Sequence, residues 1–213
     1  MEDVHHGPEL FLGFLPRYID FFPENLKAKE LIINVSKLIG NWDKETEDWY
    51  NYSLKNFNSW YFGSDGISDR DNYKFNTADH LRFVHIALLA WNITSSQKYL
   101  DWSIDYSKQF AERIIIAKDT IPVAWNCEWN EFFSKDMISP EEKFLASNHH
   151  HFKNDPLSGI ENLIASGFIF IFGELYSLTN DNIFLEASKK IINNLITIID
   201  QPYSDNVGTV ISY

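Results

Sequence analysis

One segment of this chain occurs twice, and the repeat limits the fold more than any other feature. Trp91-Asn92-Ile93-Thr94-Ser95-Ser96-Gln97-Lys98-Tyr99-Leu100-Asp101-Trp102-Ser103 returns, altered, as Tyr176-Ser177-Leu178-Thr179-Asn180-Asp181-Asn182-Ile183-Phe184-Leu185-Glu186-Ala187-Ser188. Aromatic matches aromatic at Trp91 and Tyr176, Thr94 matches Thr179, and both copies then run aromatic-Leu-acid. A recurrence of this kind marks a repeated supersecondary unit. Each copy reads as the end of one helix, a tight polar turn and the start of the next. The chain is therefore expected to be all-α, built of antiparallel helical hairpins.

With 213 residues, 45% of them hydrophobic, the chain can bury a sizeable core, and residues 1–213 read as a single helical domain. Aromatics make up 16% of it. They serve either bulky helix packing or platforms that stack on flat ligands such as sugar rings. A net charge of −12 argues against a nucleic-acid partner, which needs a basic face. The one cysteine, Cys127, rules out an internal disulfide. Met1-Glu2-Asp3 lacks the basic start and apolar run of a signal peptide. The longest apolar stretch, around Phe168 to Phe172, is too short to span a bilayer, so a soluble chain without a membrane partner is expected. The ending Val210-Ile211-Ser212-Tyr213 reads as part of a longer protein.

Along the chain, Pro8 opens a first helix, Pro16 kinks or restarts it, and Phe22-Pro23-Glu24-Asn25 is a turn. Leu26 to Ile39 carries one apolar stripe and stops at Gly40. A further helix is expected from Thr46 to Trp60, then a polar loop, Gly63 to Asn72, that lacks a calcium-loop pattern. Asn76 or Thr77 caps a helix that is apolar nearly all round from Leu81 to Ile93, the mark of an inner helix. Its amphipathic partner spans Gln97 to Lys118. Residues 119–137 form a long connection with room for a short strand, and Ser139-Pro140-Glu141-Glu142 starts a short helix. A second inner helix, Leu157 to Leu178, pairs with the amphipathic Asn182 to Asp200.

Three times, then, a buried helix precedes a tight turn and an amphipathic helix. Function in such a layout belongs to the long-loop face. Histidines gather there. His5 and His6, then His149, His150 and His151, precede inner helices, and His80 sits in the first turn of another. Histidine in such places serves as base, acid or metal ligand.

The turn pattern resembles that of the (α/α) toroids, the six-hairpin glycosidases and their polysaccharide-lyase relatives, in which a Leu-Thr-Gly-Asp turn joins an inner to an outer helix. Ser95 and Asn180 stand here where those families carry Gly. The resemblance covers Leu81 to Gln109 and Gly167 to Asn193 and implies a partial toroid of inner apolar and outer amphipathic helices. A second copy or the remainder of the ring would complete it. It further implies a carbohydrate-active enzyme that cleaves a polysaccharide or oligosaccharide. In a lyase, His6, His80 or His150 would take the proton beside a uronate carboxylate, with Arg82, Arg17 or a divalent metal ion neutralising that carboxylate. In a hydrolase, the carboxylate pair would come from among Asp79, Glu128 and Asp155. The histidines favour the lyase slightly. A non-catalytic module would instead bind sugar or protein through Trp60, Tyr61, Trp125 and Trp129. A metal site would draw on His5, His6, His149, His150 and His151, although no H-x-x-x-H or H-E-x-x-H spacing is present.

Overall fold

The computed structural model describes residues 1–117, 124–132 and 163–198. The chain divides into two compact units, Met1–Ser107 with Trp125–Asn130 and Lys108–Ala124 with Glu131–Tyr213. The expected helix at Ser139, the loop carrying His149 to His151 with Asp155, the first residues of the second inner helix and the tail from Gln201 lie outside the described residues.

In the first unit a π-helical run, Leu10–Phe14, leads into α1, Leu15–Phe21. Pro16 has no N–H to give to the preceding turn, and the amide of Leu15 bonds instead to the carbonyl of Leu10, five residues back. Asn25 caps α2, Leu26–Ile39, by accepting from the amide of Ala28 at 3.1 Å. The α2 face formed by Ala28, Ile32, Ser36 and Ile39 is buried. It packs on α3, Arg82–Thr94. The Ser36 hydroxyl bonds to the Ile86 carbonyl at 3.3 Å, so a small side chain brings the two backbones close. Of α3, Phe83, Val84, Ile86, Ala87, Leu88 and Ala90 are buried, as expected of an inner helix.

The all-α expectation is corrected between Asn41 and Thr77. Where a helix was expected from Thr46 to Trp60, the chain forms strands β2, Tyr50–Asn51, and β3, Asn56–Phe57, paired antiparallel. Strand β4, Tyr61–Gly63, pairs with β1, Glu2–Asp3, on one side and with β5, Gly66–Ile67, on the other. Strand β6, Phe75–Thr77, lies beside β7, Ala124–Asn126, and β8, Glu131–Phe132, follows. The described chain is thus mixed α and β, with three small sheets. The physical reason is composition: Trp49-Tyr50-Asn51-Tyr52-Ser53 and Asn56-Phe57-Asn58-Ser59-Trp60 are rich in strand-forming aromatics and in Asn and Ser, which compete with helix through local side-chain bonds. The Asn51 carboxamide accepts from the amides of Ser53 and Leu54, and Lys55 takes a left-handed φ of 51° to close the hairpin.

Buried carboxamides extend these short ladders. Asn76 accepts from the Phe57 amide and donates to the Phe57 carbonyl, and Asn41 does the same for Tyr50. Many of the described aromatic residues go into the core. Phe57 is fully buried, with ring centroids of Tyr50, Phe62, Phe83 and Tyr106 5.1–5.7 Å away.

The two copies of the repeat form the same turn. Helix α3 ends at Ser95 (φ 56°), and α4, Gln97–Ile116, follows. Helix α5, Phe168–Thr179, ends at Asn180 (φ 56°), and α6, Asn182–Ile198, follows. The Thr94 and Thr179 hydroxyls each bond to the carbonyl four residues back at 2.6 Å and accept from the amide two residues on at 3.2 Å. A left-handed residue costs Ser more than Asn or Gly. Ser95→Gly is therefore expected to stabilise the chain by about 0.5–1 kcal/mol, and Asn180→Gly by less, measured by urea unfolding.

In the second unit Phe172 and Phe184, 5.7 Å apart, join α5 to α6, and Phe110 of α4 lies 6.4 Å from Phe172. Lys108 pairs with Asp181 at 2.8 Å. Lys190 donates to the carbonyls of Ile115 and Ala117 at the C-terminal end of α4. Gly167, with φ 77°, breaks the helix expected from Leu157 just before Phe168. Unlike α3, α5 leaves Ile169, Phe170 and Leu178 exposed. Among the described residues no helix is long and apolar enough to cross a membrane.

Candidate functional site

The N-terminal arm builds a cluster of polar residues against the start of α3. Its strand β1 sets Asp3 opposite Tyr61 and Glu2 opposite Phe62. The amide of Val4, a buried residue, bonds to the Trp60 carbonyl at 3.0 Å. Asp3 then folds the next turn around its own carboxylate: Oδ1 accepts from the amides of His5 at 2.9 Å and His6 at 2.8 Å. The His6 ring lies against the same carboxylate, Nδ1 to Oδ2 2.9 Å, with half of the side chain in solvent. That bond raises the His6 pKa above its usual value and helps hold Asp3 below the usual carboxylate range. The turn directs His5 inward, its ring 4.8 Å from that of His6 and nearly perpendicular to it.

His5 meets Asp79 there, Nδ1 to Oδ1 3.1 Å, with the imidazole 15% exposed and the carboxylate 1% exposed. Asp79 belongs to a 3-10 turn, Ala78–Leu81, that precedes α3. Thr77 caps this turn: its hydroxyl accepts from the Asp79 amide at 3.3 Å and lies 3.4 Å from Asp79 Oδ2. Arg82, one turn on, is buried. Its Nε is 3.5 Å from Asp79 Oδ1, and its Nη1 donates to the His5 carbonyl. An acceptor-only carboxylate bonded to Nδ1 fixes the neutral His5 tautomer with its proton on Nδ1, so the basic lone pair sits on Nε2. A carboxylate so placed orients the imidazole that it accepts from.

His80, next to Asp79 in sequence, faces the other way. It is fully buried, packed against Phe57 and Phe62 with centroids 5.0 and 5.7 Å away. The Thr77 amide donates to its Nδ1 at 3.1 Å, and its Nε2 donates to the Ser59 carbonyl at 3.0 Å, which uses both ring nitrogens in one neutral tautomer. Burial pushes its pKa down to about 4. This completes the capping box, with the ring at the position where Glu or Gln usually stands. The expectation that His80 serves as base is thus met by a ring walled off from solvent, whose contacts hold the fold.

The expected aromatic platform is likewise mostly interior. Trp60 is buried and stacks on Phe75 at 5.5 Å. Trp125 and Trp129 stack on each other at 5.1 Å, and both are buried. Their indole N–H groups donate to Asn56 Oδ1 at 3.3 Å and to the Leu54 carbonyl at 2.7 Å. Only Tyr61 of the set is partly open; burial raises its pKa and keeps the phenol protonated. Glu128 is exposed on the turn between the two Trp residues, and Arg17 is exposed on α1. Cys127 donates to the Asn58 carbonyl at 3.5 Å, and burial pushes its thiol up to about 11, away from nucleophile chemistry. His149, His150, His151 and Asp155 lie outside the described residues. Among the described residues no three His, Cys, Asp or Glu side chains gather to hold a metal ion.

The structure therefore joins His5, Asp79 and Arg82, with His6, Asp3 and Tyr61 beside them through the arm. Sequence reasoning placed His5 among metal ligands and missed its pairing with Asp79, because that partner is 74 residues away. A usable local signal was Asp3-x-x-His6, an acidic turn that fixes the direction of the residue between. Comparison with protein-family models, curated proteins and solved structures returned no match.

Proposed function

We propose that this chain is a carbohydrate-active enzyme that cleaves a uronate-containing polysaccharide by β-elimination, with His5 as the base. The observation that carries the reading is the His5–Asp79 pair: an imidazole at the edge of solvent, bonded through Nδ1 to a buried carboxylate. Nε2 of His5 takes the proton from the carbon next to the uronate carboxylate. The electron pair forms the new C=C bond, and the bond from the neighbouring carbon to the glycosidic oxygen breaks. A protonated group returns a proton to that leaving oxygen; the Tyr61 phenol, kept protonated, is suited to it. Asp79 orients His5 through Nδ1. Arg82 anchors the His5 backbone and adds positive charge near the developing anion. A divalent cation would be the further group to neutralise the uronate carboxylate. The two Thr-anchored turns resemble those of toroid glycosidases and polysaccharide lyases alike, which fits a carbohydrate substrate without choosing the reaction, and the histidine–carboxylate pair favours elimination over a two-carboxylate hydrolysis.

The test is a screen of the folded chain against neutral and uronate polysaccharides, with and without chelator, recording reducing ends and the ultraviolet absorbance of an unsaturated uronate. Both signals should rise together on a uronate polymer, and His5→Ala should lower kcat/KM by about 10²–10⁴-fold. A His5→Ala variant with wild-type rates, or reducing ends without the ultraviolet product, overturns the reading.

A further inference from the structure

The first helical hairpin turns its apolar stripe outward. Leu10, Phe14, Tyr18, Phe21 and Phe22 recur at the spacing of one helix face. A stripe of that kind normally faces the core. Here Phe21 is 80% exposed and Leu26, just past the turn, 69%, while Leu10, Phe14 and Phe22 are all more than half exposed. The rings form a continuous ridge: Phe14 stacks on Tyr18 at 5.6 Å and Tyr18 lies 4.9 Å from Phe22. The Asn25 carboxamide donates to the Tyr18 hydroxyl at 3.1 Å and ties the ridge to the turn. The inner side of the hairpin is already satisfied by Leu15, Ala28, Ile32, Ser36 and Ile39. Taking about 200 Å² for a whole Phe, the exposed part of the ridge with Leu10 and Leu26 amounts to roughly 600 Å². That is at the upper limit of apolar patches left open on monomers. It approaches the roughly 800 Å² per partner of a stable protein pair.

Charge narrows the choice of occupant. The chain as a whole carries −12. Residues 10–31 carry three cations, Arg17, Lys27 and Lys29, against three anions, Asp20, Glu24 and Glu30, for a local net of zero. On α1, Arg17 and Asp20 fall on the same flank of the ridge, three residues apart. When two copies of a helix cross antiparallel about a two-fold axis, like flanks meet. An axis between Tyr18 and Ile19 therefore sets Arg17 of each copy beside Asp20 of the other. We infer that the outward ridge of the first hairpin is the contact face of a homodimer, with α1 antiparallel to its copy and Arg17–Asp20 pairs on the flanks. An isologous contact needs such self-complementarity.

Sedimentation velocity of the full chain up to about 50 µM tests this. The wild type should be a dimer. Phe21→Glu with Leu26→Glu, both at exposed positions, should weaken it by at least about 100-fold with an unchanged circular-dichroism spectrum. Arg17→Asp alone should weaken the dimer by like-charge contact, and the exchange Arg17→Asp with Asp20→Arg should restore it. A monomeric wild type overturns the inference, whether or not the chain then sediments with phosphatidylcholine vesicles, which would assign the ridge to a lipid surface. A dimer indifferent to Phe21→Glu with Leu26→Glu, or a charge exchange that fails to restore association, overturns it as well.

Discussion

Asp79→Ala is expected to destabilise the first unit by about 3–5 kcal/mol, the range for removing one partner of a buried ion pair. The carboxylate is 1% exposed and has two dependants, the Nδ1 of His5 and the guanidinium of Arg82. Without it the buried Arg82 guanidinium loses its ion pair with Asp79, and the arm that carries His5 loses one of the contacts that hold it, beside the β1–β4 pairing and the Asp3 turn. Asp79→Asn keeps the shape and should cost less than Asp79→Ala. Urea unfolding followed by Trp fluorescence measures both. A change below about 1 kcal/mol for the alanine variant would mean that Arg82 finds its compensation elsewhere, and would remove Asp79 as the organiser of the cluster.

His80→Ala should be of similar size, about 3 kcal/mol or more, because it leaves the Thr77 amide and the Ser59 carbonyl without their buried partner and opens a cavity beside Phe57 and Phe62. It should also change the pH profile. The folded chain holds His80 at about 4, below the ordinary 6.5. Between those values the unfolded chain binds a proton that the folded chain does not, so stability is full above pH 6.5 and declines as pH falls toward 4. This one group accounts for about 3 kcal/mol across that window. Stability measured from pH 7 down to 4 should therefore fall more steeply in the wild type than in His80→Gln, which keeps a donor and an acceptor without titrating. Equal slopes in the two proteins would mean that His80 is not the group that couples folding to acid.

Much of the helical framework was legible because its signals are local. The two turns share Thr, a left-handed residue and an aromatic-Leu-acid start, and these act within a few residues: Thr94 and Thr179 bond to Ala90 and Leu175 one turn back. The bounds of α2 were legible for the same reason, since Asn25 and Gly40 bracket a single apolar stripe. The strands between Asn41 and Thr77 were not. Each is two or three residues long, too short to show alternation, and their ladders are completed by Asn41 and Asn76 side chains that bond to Tyr50 and Phe57. The spacing of Tyr50, Leu54, Phe57 and Tyr61 fits a helix, and tertiary packing of those aromatics against α3 and α4 overrode it.

The candidate site divides in the same way. Sequence by itself determined that histidines cluster at the starts of inner helices, and that Asp79 and His80 open α3. Which of the two meets the N-terminal arm was decided by the tertiary structure. A 3-10 turn points successive side chains in different directions. The hydrophobic wall of Phe57, Phe62 and Phe83 claims His80, while the returning arm brings His5 to Asp79. That meeting joins residues 74 positions apart, and neither carries a local mark of the other. Short-range patterns encode turns and helices because their bonds close within a few residues; a buried pair depends on where the whole chain puts its ends.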